Sequence, residues 1–144
     1  MKTLKGLKDV LEDLQKFGEA MQKKVNDVTY ANALELQENA KQNAPFDLGK
    51  LIQSIQTIKL EDSSYLILAN ATGIAPYAAY MEFGTGGNVS VPSELADIAI
   101  KFKGKGVKKI DLRPRPYMYP ALVRQRRIFL EELKQLLETE TKKV

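Results

Sequence analysis

Apolar residues recur every three or four positions along the start of the chain: Leu4, Leu7, Leu11, Leu14, Phe17 or Gly18, Met21, Val25 and Val28. On a helix this spacing forms one apolar stripe, with the intervening Lys, Glu, Asp and Gln residues toward water. Ala33, Leu36 and Ala40, with Leu34 beside them, continue it from Tyr30 to about Asn43. Gly18 weakens a helix and the Asn26-Asp27 pair favours caps, so the pattern allows one long helix or two. The stripe is read as a core face in preference to a partner-binding seam.

Pro45 ends this region, because the residue before a proline is driven out of helical geometry. Asp47 with Gly49 predicts a turn into a strand. From Leu51 to Leu60, Ile52, Ile55, Ile58 and Leu60 alternate imperfectly with Gln53, Ser54, Gln56, Thr57 and Lys59. Glu61-Asp62-Ser63-Ser64 is a polar turn, and Tyr65 to Ala71 a second, more buried strand. The two form an antiparallel hairpin. Two strands alone are marginal, so helices must cover one face.

Next comes Tyr77-Ala78-Ala79-Tyr80-Met81-Glu82-Phe83-Gly84-Thr85, the densest aromatic stretch, read as a short helix that places Tyr77, Tyr80 and Phe83 on one side. Residues 84–111 are glycine- and lysine-rich and read as a mobile loop, interrupted by a helix from Ser93, as N-cap, to about Phe102. Arg113 to Ala121 holds three prolines and reads as an extended connector. Pro120 suits the first turn of a closing helix, with Leu122, Phe129, Leu133, Leu136 and Leu137 as its core face to about Glu138. Residues 139–144 are expected to fray. The fold class is α+β: a long N-terminal helix (or two), a small antiparallel sheet, a long loop, and a C-terminal helix packed on the sheet. At 144 residues this makes one domain.

Composition narrows the chemistry. No cysteine and no histidine are present, which removes thiolate nucleophiles, zinc–thiolate sites and the commonest general base and transition-metal ligand. Met1-Lys2-Thr3-Leu4-Lys5 lacks the apolar core of a signal peptide, and no run approaches the roughly 20 apolar residues of a membrane span. The net charge of +4 is unevenly spread. Between Lys101 and Arg127 ten Lys or Arg residues face one acid, Asp111, while the rest of the chain holds 12 bases and 17 acids. A basic excursion of this kind is either a solvated loop or a phosphate contact without sequence reading. Lys101, Lys103, Lys105, Lys108 and Lys109 are the candidates to face DNA.

The candidate motifs for catalysis fail individually. After Gly84-Thr85-Gly86-Gly87 come Asn88 and Val89, where a phosphate loop needs Lys and then Ser or Thr. Ser54, Ser63, Ser64, Ser90 and Ser93 have no histidine to activate them. Glu61-Asp62 and Glu131-Glu132 are adjacent, and adjacent side chains diverge on a strand or helix. No catalytic, cofactor or metal residue is assigned, and the chain is not read as an enzyme. Glu82 stands apart. Met81 and Phe83 flank it, so it is either partly buried, with Arg113 or Arg115 as natural partner, or exposed at the element's edge.

Three segments stand in fixed order: Ala44-Pro45-Phe46-Asp47-Leu48-Gly49-Lys50-Leu51 through Ser54-Ile55; Tyr77 through Thr85; and Arg115-Pro116-Tyr117-Met118-Tyr119-Pro120-Ala121. This order resembles the phage tail-completion, or head–tail joining, family typified by gene product ten of phage HK-ninety-seven, over about residues 30 to 137. In that family an "A-P-x-D-T-G-x-L-x-x-S-I" segment is followed by "Y-A-x-x-x-E-F-G-T" and then "R-P-F-x-x-P-A" opening a helix. Leu48 stands where the family usually has Thr, and Tyr117 where it usually has Phe; the first puts a side-chain cap in that turn in doubt.

The resemblance implies a structural protein of the head–tail connector or tail terminus of a phage or prophage. It implies a homo-oligomeric ring, often of six copies, between head-completion and tail-tube proteins, with DNA passing through its channel. It would assemble in the host cytoplasm and then reside in the virion, with no membrane partner. Tyr77, Tyr80, Glu82, Phe83, Arg115 and Tyr117 would be motif core or subunit interface. The alternative function is a nucleic-acid-binding module using the basic segment 101–127.

Overall fold

The computed structural model describes residues 2–85, 92–99 and 112–143. The stripe folds as one uninterrupted helix, α1 (Lys2–Asn43), 42 residues long. Neither Gly18 nor the Asn26-Asp27 pair breaks it. Asn43 is its last residue, and Ala44 and Pro45 follow as a buried corner.

The strand expected from Leu51 is in its first half a helix. Leu51, Ser54 and Ile55 fall at i, i+3 and i+4 and are all buried, so α2 (Gly49–Ser54) turns them onto one side. Leu48 precedes α2 without a side-chain cap, as the missing threonine hydroxyl suggested. Strand β1 is therefore only Gln56–Lys59, and β2 is Tyr65–Leu68. They pair antiparallel, with Gln56 opposite Leu68 and Lys59 opposite Tyr65. Asp62 and Ser63, both at positive φ, carry the reversal.

Helix α3 (Ala78–Phe83) is the short aromatic helix. Its core side is not the Tyr77–Tyr80–Phe83 side: Ala78, Met81, Glu82 and Phe83 are buried, whereas Tyr80 is exposed. Ser93 lies inside a 3-10 turn (Ser93–Leu95) and Pro92 takes the N-cap place, with no side-chain cap. Helix α4 (Ala96–Ala99) follows, and the rest of the expected helix to Phe102 is outside the described residues, as is most of the segment read as a mobile loop.

Helix α5 (Met118–Thr141) lies antiparallel along α1. Asn43 bonds Tyr117, Asn32 bonds Glu132, and Lys24 pairs with Glu140. On α5 the buried positions are Ala121, Gln125 and, at its margin, Glu140, while Leu122, Phe129, Leu133 and Leu136 are half-buried and Leu137 is exposed. Its expected core face is thus rotated toward α1. The hairpin flanks α1 as well, with Tyr65 donating to Asn26 and stacking at a tilt against Tyr30. The core gathers where these elements meet, around Leu36, Ala40, Leu51, Ile55, Ala75, Met81, Tyr117 and Ala121.

Candidate functional site

Glu82 leaves α3 one residue before its end and is 7% exposed. Its partner is not an arginine. One oxygen, Oε2, accepts from the backbone amides of Tyr117 (2.8 Å) and Met118 (2.9 Å), and Oε1 accepts from Tyr119 (2.9 Å). These are the opening residues of α5. The first four amides of a helix have no partner within it. Here three go to Glu82, and the fourth position is Pro120, which has no amide hydrogen. A carboxylate 35 residues upstream thus caps the helix completely, and its charge also suits the positive end of the helix dipole.

The connector before α5 is stitched to α3 in the same way. Arg115 donates its amide to the Met81 carbonyl at 2.7 Å, Thr85 donates to the Leu112 carbonyl at 3.0 Å, and Leu112 donates to the Thr85 hydroxyl at 2.9 Å. Gly84 makes the close approach possible. Its φ is +77°, and a Cβ there would lie 2.8 Å from the Leu112 oxygen and 2.9 Å from Pro114 Cδ. Tyr117, 1% exposed, donates its hydroxyl to the Ala78 carbonyl at 3.0 Å. Burial raises this phenol above the usual tyrosine range, and the nearby Glu82 carboxylate adds to the effect.

Of the residues singled out from the sequence, Glu82, Phe83 and Tyr117 are brought together inside the protomer. Tyr77 is half-buried at the start of α3, and Tyr80 points outward. Arg115 is exposed, and its guanidinium lies a long 3.7 Å from the exposed Asp47, a surface pair of small energetic weight. Lys101, Lys103, Lys105, Lys108 and Lys109 lie outside the described residues.

Two polar clusters were missed. Buried Ser54 donates to the Leu51 carbonyl and accepts the Asn70 amide, while Asn70, at φ +59°, accepts the Ala75 amide through Oδ1. This ties α2 to the chain leaving β2. Asn70 before Gly73 was the available signal, because asparagine tolerates the left-handed region. Second, Gln125 donates to Asn32 and Glu35 and accepts from Asn39, across the α1–α5 contact. Its sign in the sequence was a glutamine four residues from both Ala121 and Phe129.

Beside this junction, Thr29, Ala33, Tyr65, Ile67, Leu122 and Phe129 line a largely apolar hollow of about 190 Å³. It adjoins one of about 270 Å³ walled in part by Glu82, Phe83 and Met118. Both are below the roughly 300–1,000 Å³ of small-molecule sites. Among the described residues no cluster of three potential metal ligands occurs. The Glu82 junction is built to hold helices.

The family model for Bacteriophage HK97-gp10, "putative tail-component", matches residues 8–84. The match runs from the second turn of α1 through α3 and ends at Gly84, before the Arg115–Ala121 segment. No curated protein and no solved structure matches the chain. The chain belongs to the HK97-gp10-like family and is, with it, a phage structural protein of tail-component type.

Proposed function

We propose that this member of the HK97-gp10-like family is a subunit of the head–tail junction, assembling with copies of itself as a ring between head-completion and tail-tube proteins. Its role is structural and not catalytic, and its place is the virion. The observation that carries the reading is what one protomer leaves bare. The inner side of the hairpin, Thr57, Tyr65 and Ile67, is half-buried, but Ile58, Leu66 and Leu68 on the outer side, with Leu60 just beyond, are exposed. Among the described residues the sheet has two strands and therefore two open edges. Open edges accept a neighbouring strand, and an apolar outer face accepts a neighbouring surface.

Phe46 supports the same reading. It is 96% exposed on the α1–α2 connector, so the ring contributes nothing to the protomer core. Buried apolar side chains are each worth about 1.5–3 kcal/mol, and aromatic anchors tend to dominate interfaces. No helix among the described residues is long and apolar enough to cross a membrane. The bare faces are assigned to protein partners because open strand edges and aromatic anchors suit them. DNA would pass through the ring.

Light scattering on the full chain, with and without duplex DNA, tests the reading. A mass of several subunits that DNA does not change is the expected result. A monomer that shifts onto duplex DNA and dissociates as salt rises would replace it with the nucleic-acid-binding module.

A further inference from the structure

Residues 6–20 of α1 are exposed at every position, although Leu7, Val10, Leu11, Leu14 and Phe17 are large and apolar. Leu7, Leu11 and Leu14 keep 57%, 58% and 59% of their surface in water. The expected core face therefore covers only half of the helix. Lys24 pairs with Glu140, close to the end of α5, and Tyr65 of β2 reaches Asn26. Residues 6–20 lie beyond both, a rod of about 22 Å at 1.5 Å per residue. This stretch extends a helix nucleated in the body, so propensity alone can carry it, but its apolar stripe gains from cover.

The sequence and the structure together say what kind of cover. From Leu4 to Val28 the stripe steps three, four, three, four, the a and d positions of four heptads, with Gly18 at one a position and Val10 and Phe17 beside the seam at g. Continuing the same count, Asn32, Glu35 and Asn39 take the next a, d and a positions, and all three bond Gln125 of α5. The seam that already holds a helix in its second half thus runs bare, in register, through its first half. A period of 3.5 suits a helix alongside. A lipid surface fits poorly: from Lys8 to Lys23 the polar face carries four acids and three bases, whereas membrane-lying helices are rich in Lys and Arg.

We propose that the projecting half of α1 pairs with the same segment of a second copy of this chain. Helix α5 ends at Thr141, opposite the middle of α1, while a second copy brings a stripe of the same length and register. In a ring the copies are related by rotation, so these segments run parallel with like residues side by side, each covering its neighbour's stripe. The proposal deepens the assembly reading above and rests on it, naming one self-contact.

The chain has no native cysteine, so single cysteines report contacts cleanly. Full-length Leu7→Cys, Leu11→Cys and Leu14→Cys, alone and in pairwise mixtures, should form disulfide-linked dimers on mild oxidation, whereas Lys16→Cys, on the outer face, should not. In sedimentation velocity the Leu7→Gln/Leu11→Gln/Leu14→Gln variant should self-associate about a hundredfold or more weakly, by loss of buried apolar surface, with the thermal melt of the body unchanged. A wild-type chain that stays monomeric would overturn both this inference and self-assembly. A triple variant that associates like wild type would overturn the inference alone, leaving assembly through other surfaces.

Discussion

Glu82 and Tyr117 tie the two ends of the motif order into one junction. Glu82→Ala removes the acceptor for three buried or part-buried amides. Hydrogen bonds to a charged group are worth about 1.5–3 kcal/mol and stranded buried donors cost about 1–3 kcal/mol each. A loss of about 3 kcal/mol or more is expected in urea unfolding, with Glu82→Gln losing less. Tyr117→Phe removes the hydroxyl bond to Ala78 and should cost about 1 kcal/mol. The raised phenol also has a pH consequence. Between the ordinary tyrosine value near 10 and the higher folded value, the folded state holds a proton that the unfolded state has released. Stability from this group is therefore complete below about pH 10 and falls as pH rises above it. Unfolding curves between pH 9 and about 11 should show that slope in wild type and a shallower one in Tyr117→Phe. Met81 and Phe83 beside Glu82 allowed its burial as one of two readings, and the structure takes that one. Its partners were not legible, because backbone amides leave no mark in a sequence and arginine is only the commonest partner by chemistry.

At the scale of elements, packing overrode several local preferences. Gly18 weakens a helix by about 1 kcal/mol, too little to end one whose apolar register runs through it. The stretch after Leu51 read as a strand because isoleucine favours strands, yet burial of Leu51, Ser54 and Ile55 on one side decides for a helical turn. The α3-to-connector contact depends on Gly84, whose positive φ and 2.8 Å approach to the Leu112 oxygen leave no room for a methyl group. Gly84→Ala should destabilise by about 2 kcal/mol or more, and thermal melts of the purified variant measure it. A glycine after the aromatic run was visible as the start of a glycine-rich segment. The strap that crosses it, 28 residues later, was not.

For the whole molecule, the long terminal helices were readable because their periodicities are strong, and the hairpin from the polar turn between two apolar runs, whereas α2 was not. What could not be read was how little of the apolar stripe a single protomer covers, since a stripe looks the same facing a core or a partner. Phe46, bare on its connector, separates the two uses of apolar surface. Phe46→Ala should leave the stability of the protomer within about 0.5 kcal/mol of wild type while weakening assembly by about tenfold or more, as loss of an aromatic anchor does. Urea unfolding and sedimentation of wild type and variant side by side read the two effects. The central claim, a structural subunit that joins head to tail, is tested most directly by electron microscopy of the particles made when the gene for this chain is disrupted. DNA-filled heads and separate, unattached tails are the predicted result, restored to whole particles when the intact chain is supplied. Complete, infectious particles in its absence would contradict the account.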